Sequence, residues 1–154
     1  MGDHLVGGRT IATAATANHV VAQFWNPHST SRIWVTAIDL CAITGAALSS
    51  ITLRRSSAKG ATPSATETPD LDNAFERDNA NAAGMLLELA TFTTQPTLDA
   101  SILWRWSLPA SIGAGFMKPF GRPGIAIPPG TGLCIVNAGA VLTPASDVSF
   151  SFAV

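Results

Sequence analysis

Histidine, carboxylate, serine and tryptophan side chains supply the chemistry this sequence could perform, and their spacing decides whether they do. His4, His19 and His28 all fall near the N-terminus. A metal site in a small β-barrel needs histidines and carboxylates that project together from paired strands. His19 and His28 instead flank one apolar run, Val20 to Trp25, and sit at its opposite ends, where they cannot share an ion. Asp39, Glu67, Glu76, Glu88 and Asp99 are the carboxylates available for glycoside cleavage. Most lie in a loop or beside turns, and no spacing makes two of them face each other across a cleft. A Gly-x-Ser-x-Gly elbow for a serine nucleophile is absent. Gly113-Ala114-Gly115 and Gly130-Thr131-Gly132 are fragments of phosphate loops that complete neither motif, so they read as turns. The chain is therefore expected to be non-enzymatic, with no cofactor and no metal.

Trp25, Trp34, Trp104 and Trp106 would make a sugar-stacking platform if their flat rings faced solvent. Trp104 and Trp106 alternate in phase with Ile102 and Leu108, which assigns them to a buried face. Trp25 stands beside the Asn26-Pro27 turn and is the tryptophan expected to be most exposed. A subunit interface would cover it as well as a sugar would.

Period-two alternation dominates the elements that must position these residues. Val148, Phe150, Phe152 and Val154 alternate with Ser149, Ser151 and Ala153, the clearest strand in the chain. Further strands are predicted around Thr10 to Ala17, Val20 to Trp25, Ile33 to Ile38, Ser50 to Arg55, Ser101 to Leu108, Ile125 to Ile127 and Leu133 to Val136. Met85 to Ala90 reads as a strand or a short helix. Pro128-Pro129-Gly130-Thr131-Gly132 between two apolar runs predicts a hairpin, since proline fixes φ and glycine admits positive φ. With eight or nine short strands and no sustained helical period, the chain is expected to fold as an all-β, antiparallel β-sandwich of jelly-roll type.

Residues 56–84 break the pattern with Pro63, Pro69 and a run of acids, Glu67, Asp70, Asp72, Glu76 and Asp78. Asp70 can cap a short helix that turns Leu71 and Phe75 inward. This long loop is read either as a contact segment or as a disordered insertion. Residues 1–9 are expected as a flexible arm, leaving residues 10–154 as one β-sandwich domain. Cys41 and Cys134 stand in apolar runs without metal-ligand spacing and read as buried thiols, or as a disulfide if their strands are neighbours.

Composition narrows the partners. Nine basic and ten acidic side chains give a formal net charge of −1 and a pI near 6.2. That charge does not suit a phosphate backbone, and no segment is apolar enough for long enough to span a bilayer. Nucleic acid and membrane are therefore not expected as partners. Arg54, Arg55 and Lys59 form a small basic cluster at a strand end, read as solvated. Charged residues make up only 12% of the chain, about half the usual share, so its surface is expected to be partly covered by copies of itself or by a larger assembly.

The order of features carries a resemblance. A small-residue opening strand is followed by the turn Gln23-Phe24-Trp25-Asn26-Pro27-His28-Ser29-Thr30-Ser31-Arg32, then by a strand ending Leu53-Arg54-Arg55. A long Thr/Pro-rich loop comes next, and Pro128-Pro129-Gly130-Thr131-Gly132-Leu133 precedes the terminal strand. Over residues 10–154 this resembles the small β-sandwich structural proteins of tailed bacteriophage virions, capsid decoration and fibre-type subunits among them. The resemblance implies a virion location, a homotrimer, and partners such as the major capsid protein. The lack of tyrosine and of a long helical stalk argues against a fibre shaft. Trp25, Asn26, Asp70, Leu71 and Phe75 are the residues expected at protein contacts. Recognition of host surface sugar, as a glycan-binding module or adhesin, is the alternative function.

Overall fold

The C-terminal alternation becomes a strand, Ser146–Ala153, whose large side chains Val148, Phe150 and Phe152 are buried while the serines between them lie nearer the surface. In the computed structural model, which describes residues 3–13, 16–45, 48–69, 80–141 and 143–154, the strands in chain order are as follows. They are β1 (Asp3–Arg9), β2 (His19–Asn26), β3 (Ile33–Ala42), β4 (Ser49–Ala58), β5 (Ala61–Glu67), β6 (Leu86–Thr94) and β7 (Thr97–Leu108). β8 (Gly115–Pro119), β9 (Ile125–Ile127), β10 (Thr131–Asn137) and β11 (Ser146–Ala153) complete them, with one helical turn, α1 (Ala80–Ala83), ahead of β6.

The strands form two antiparallel sheets packed face to face. One has the order β1-β11-β3-β8, with β9 also pairing β3, and the other the order β5-β6-β2-β10-β4-β7. The chain passes from one sheet to the other between β1 and β2, β2 and β3, β3 and β4, β7 and β8, β9 and β10, and β10 and β11. Between the sheets lies one apolar core, in which Phe24 from β2 stacks on Phe150 of β11 at 5.1 Å between centroids. Ile38, Leu40, Ile51, Leu53, Leu87, Leu133 and Ile135 fill the rest.

The six-stranded sheet also has a smaller core on its outer face. The links Lys59-Gly60 and Gln95-Pro96 lead from the β4–β7 pair into the β5–β6 pair, so this ribbon arches over β2 and β10. Beneath it Val20, Ala90, Phe92, Cys134 and Val136 are buried, and Leu98 packs on them. The buried Gln23 amide fixes the arch: its Nε2 donates to Ser56 Oγ at 2.7 Å and its Oε1 accepts from the Gly60 amide at 3.1 Å.

Several expectations are corrected here. Residues 3–9 are not a flexible arm: they pair with β11 from Asp3↔Ala153 to Arg9↔Asp147, so the small residues Gly7 and Gly8 lie in a sheet. Among the described residues of Thr10 to Ala17 only Thr13 makes a β-bridge, to Thr143. The Pro128 to Gly132 turn does not close a hairpin. Two consecutive prolines donate no ladder hydrogen bond, so the turn instead carries the chain from β9 in one sheet to β10 in the other. The long loop is shorter than expected, because β4 runs on to Ala58 and β5 occupies Ala61–Glu67. Of Met85 to Ala90, the residues from Leu86 on form the start of a strand rather than a helix, and Met85 precedes it. The cysteines are free, Cys41 on the five-stranded sheet and Cys134 under the arch of the other, so no disulfide joins them.

Candidate functional site

Two features of this architecture could carry function: the edge where β7 and β8 meet, and a cleft at one end of the sandwich. Among the described residues β7 pairs with β4 alone, and β8 with β3 alone, so each is the outermost described strand of its sheet on the same side of the sandwich. Aromatic side chains bridge the gap between them. Trp106 of β7 stacks on Phe116 of β8 with centroids 3.9 Å apart and planes 3° from parallel. One step along, Lys118 Nζ stands 3.7 Å over the Trp104 ring.

Outside these contacts the edge exposes several large apolar side chains among the exposed Ser101, Arg105 and Ser107. Ile102, Leu103 and Trp104 on β7 are exposed, and Met117 on β8 is 73% exposed. The alternation of Ile102, Trp104, Trp106 and Leu108 survives in the strand, but the burial expected of it does not. Only Leu108 is fully buried, Trp106 is half-buried and Trp104 is 44% exposed, because β7 runs along the rim and its register with β4 slips beyond Leu53↔Trp104. Such slips bend an edge strand and are one way a sheet discourages unwanted pairing.

The cleft lies where the β2–β3 connection, the β9–β10 turn, the end of β4 and the start of β7 come together. Its volume is about 410 Å³, and Arg32, Arg55, Ser57, Asp99 and Thr131 line it together with the apolar Ala126 and Pro128. Backbone contacts hold its walls. Arg55 donates from Nη1 to the Ala126 carbonyl, and Arg54 donates from both Nε, at 2.9 Å, and Nη2 to the Asp99 carbonyl. Thr131 Oγ1 donates to Pro128 O at 2.8 Å, and the Gly130 amide, at φ 64°, donates to Asn26 O at 2.9 Å. The expected solvation of the Arg54, Arg55 and Lys59 cluster is thus replaced by specific contacts, with Lys59 at 2.8 Å from the buried carboxylate of Glu88.

No family model, curated protein or solved structure matches the chain.

Of the residues expected at contacts, Trp25 and Asn26 are described. Trp25 is half-buried, its ring lying against Gly132, where a Cβ would come within 3.0 Å of Trp25 Cε3. Trp104, not Trp25, is the exposed tryptophan. Asn26 is fully buried and holds the turn from within, donating to Ser31 O at 2.8 Å and Ile127 O at 3.1 Å and accepting from the His28 amide at 3.1 Å. Asp70, Leu71 and Phe75 lie outside the described residues.

Sequence reasoning gave no role to Met117 or Arg32, and it read Arg55 only as part of the solvated basic cluster at the end of β4. Among the described residues, no three of His, Cys, Asp and Glu are grouped closely enough to hold a metal ion.

Proposed function

We propose that this protein is a non-enzymatic structural subunit of a virion of the tailed-phage kind, assembling with copies of itself as a homotrimer and docking on a larger protein surface. The exposed apolar side chains Ile102, Leu103 and Trp104 on one edge strand and Met117 on the other carry the reading. Apolar area left open on edge strands is stabilised by burial against a partner, and only 12% of the chain is charged. We read the strand orders β1-β11-β3-β8 and β2-β10-β4-β7 as a jelly roll, with β5, β6 and β9 added to it. The fold does not by itself carry a function.

The test is the mass of the purified protein by light scattering after size exclusion, with a Trp104→Glu/Met117→Glu variant alongside. The wild type is expected near three times the 15.9 kDa chain mass and the variant near one, both folded by circular dichroism. A wild type that stays monomeric at high micromolar concentration overturns the self-assembly reading.

Glycan recognition through stacked tryptophans has less support, because the one exposed indole, Trp104, already has Lys118 over one face.

A further inference from the structure

We infer that the cleft at the end of the sandwich binds an acidic sugar, a ligand with one carboxylate and several hydroxyls. The inference goes beyond the structural role proposed above and does not depend on the oligomeric state.

Arg32 and Arg55 line the same cleft, and neither has a carboxylate within ion-pairing distance among the described residues. One Arg55 nitrogen is committed to the Ala126 carbonyl, which restrains the guanidinium, and its remaining N–H groups have no partner among the described residues. A guanidinium held this way is preorganised for two-point binding of a planar carboxylate. Arg32 is exposed and lies 5.9 Å from the Trp34 ring centroid, a contact that limits where its charge can go.

Asp99 selects between classes of anion. Asp99 lines the same cleft as the arginines, and its carboxylate accepts hydrogen bonds but donates none when ionised. A bare sulfate or phosphate would gain the arginines and meet Asp99 as a like charge. A neutral sugar would suit Asp99 and leave the arginines unmatched. A ligand with a single carboxylate and neighbouring hydroxyls satisfies both, with Ser57 and Thr131 completing the polar wall. Ala126 and Pro128 add apolar lining suited to the C–H face of a sugar ring, and the volume falls in the range of small-molecule sites.

The experiment is a ¹H–¹⁵N NMR titration of the full chain with a glucuronate-containing oligosaccharide, the matched glucose oligosaccharide and inorganic sulfate. The uronate is expected to bind with shifts centred on Ser57, Ala126 and Thr131, and the neutral sugar is not. Arg32→Ala, at an exposed position, is expected to weaken uronate binding at least tenfold without changing the thermal midpoint. Asp99→Asn is expected to weaken uronate binding while strengthening sulfate binding. Absence of uronate binding at millimolar concentration overturns the proposal, as does sulfate binding as tightly as the uronate or an Arg32→Ala variant that binds normally. Repeating the titration with the Trp104→Glu/Met117→Glu variant separates this result from the assembly reading, since cleft binding is expected whatever the mass.

Discussion

Trp106 lies flat on Phe116, and through this pair the outermost strands of the two sheets are joined. The contact closes one side of the sandwich, where no backbone ladder connects β7 to β8. Large aromatics dominate packing energetics, and a stacked pair adds about 0.5–1.5 kcal/mol beyond the area it buries. Because Trp106 is half-buried, Trp106→Ala is expected to cost about 2–3 kcal/mol, below the range for fully buried aromatics. Phe116→Ala should cost a similar amount, and the double variant should lose about 1 kcal/mol less than the sum. Urea unfolding of the four proteins measures this; strict additivity would mean the rings do not couple.

Which parts of this architecture could be read in the sequence follows from what periodicity encodes. Val148, Phe150 and Phe152 alternate because β11 lies between β1 and β3 with one face on the core, so pattern and burial agree. The same alternation in β7 gave the strand but not its environment, since period two does not say whether a strand is central or on the rim. Asn26 illustrates a different loss. Its type and its place beside Pro27 marked a turn, but not that its side chain would reach the Ile127 carbonyl on the opposite sheet. The cleft was not legible at all, because Arg32, Arg55, Asp99 and Thr131 come from four separated segments that only the crossings between sheets bring together. The arch was hidden for the same reason: Gln23 reads as an ordinary polar strand residue until the link at Gly60 folds over it.

The two thiols are expected to differ sharply in reactivity. Cys134 is fully buried under the arch, and that burial pushes its pKa up to about 12. The attacking species is the thiolate, so Cys134 should resist a disulfide reagent at pH 8 while half-buried Cys41 reacts. Counting titratable thiols before and after denaturation should give one and then two. The sign of the pH effect follows from the raised value. In the unfolded chain the thiol ionises near its ordinary pKa of about 8.5, whereas the folded thiol does not. Its contribution is therefore complete below that point and is lost as pH rises toward about 12, a dependence that Cys134→Ala should remove.

Asp147 accepts from Arg9 Nε at 2.7 Å and Nη2 at 3.0 Å, clamping the end of β1 to the start of β11. This hydrogen bonding holds its carboxyl below the usual carboxylate range. The contribution to stability is accordingly present above that range and lost as pH falls through the depressed value. Both groups lie in solvent, so the effect should be small and should shrink with added salt. An NMR titration of the Asp147 carboxyl is expected to move upward, toward the ordinary value, in Arg9→Gln. An unchanged midpoint would mean that the ion pair does not form in solution.

Glu88 presents an asymmetric case that tests how the arch is held. Its side chain is 1% exposed, one oxygen meets Lys59 Nζ at 2.8 Å, and Oε2 has no hydrogen-bond partner among the described residues. Lys59 sits in the link that covers it, and its own side chain is 42% exposed. Removing the lysine strands a buried carboxylate, whereas removing the carboxylate leaves a lysine that can turn to water. Lys59→Ala is therefore expected to cost about 2–3 kcal/mol, at or below the lower bound of about 3 kcal/mol for a broken buried pair because water reaches the lysine. Glu88→Met, similar in volume and uncharged, is expected to change stability by less than about 1 kcal/mol. Adding Glu88→Met to Lys59→Ala should recover most of the loss. Chemical denaturation decides the matter: equal costs for the two single variants would mean that the pair stabilises the arch by attraction, not that Lys59 mainly offsets a carboxylate already buried there.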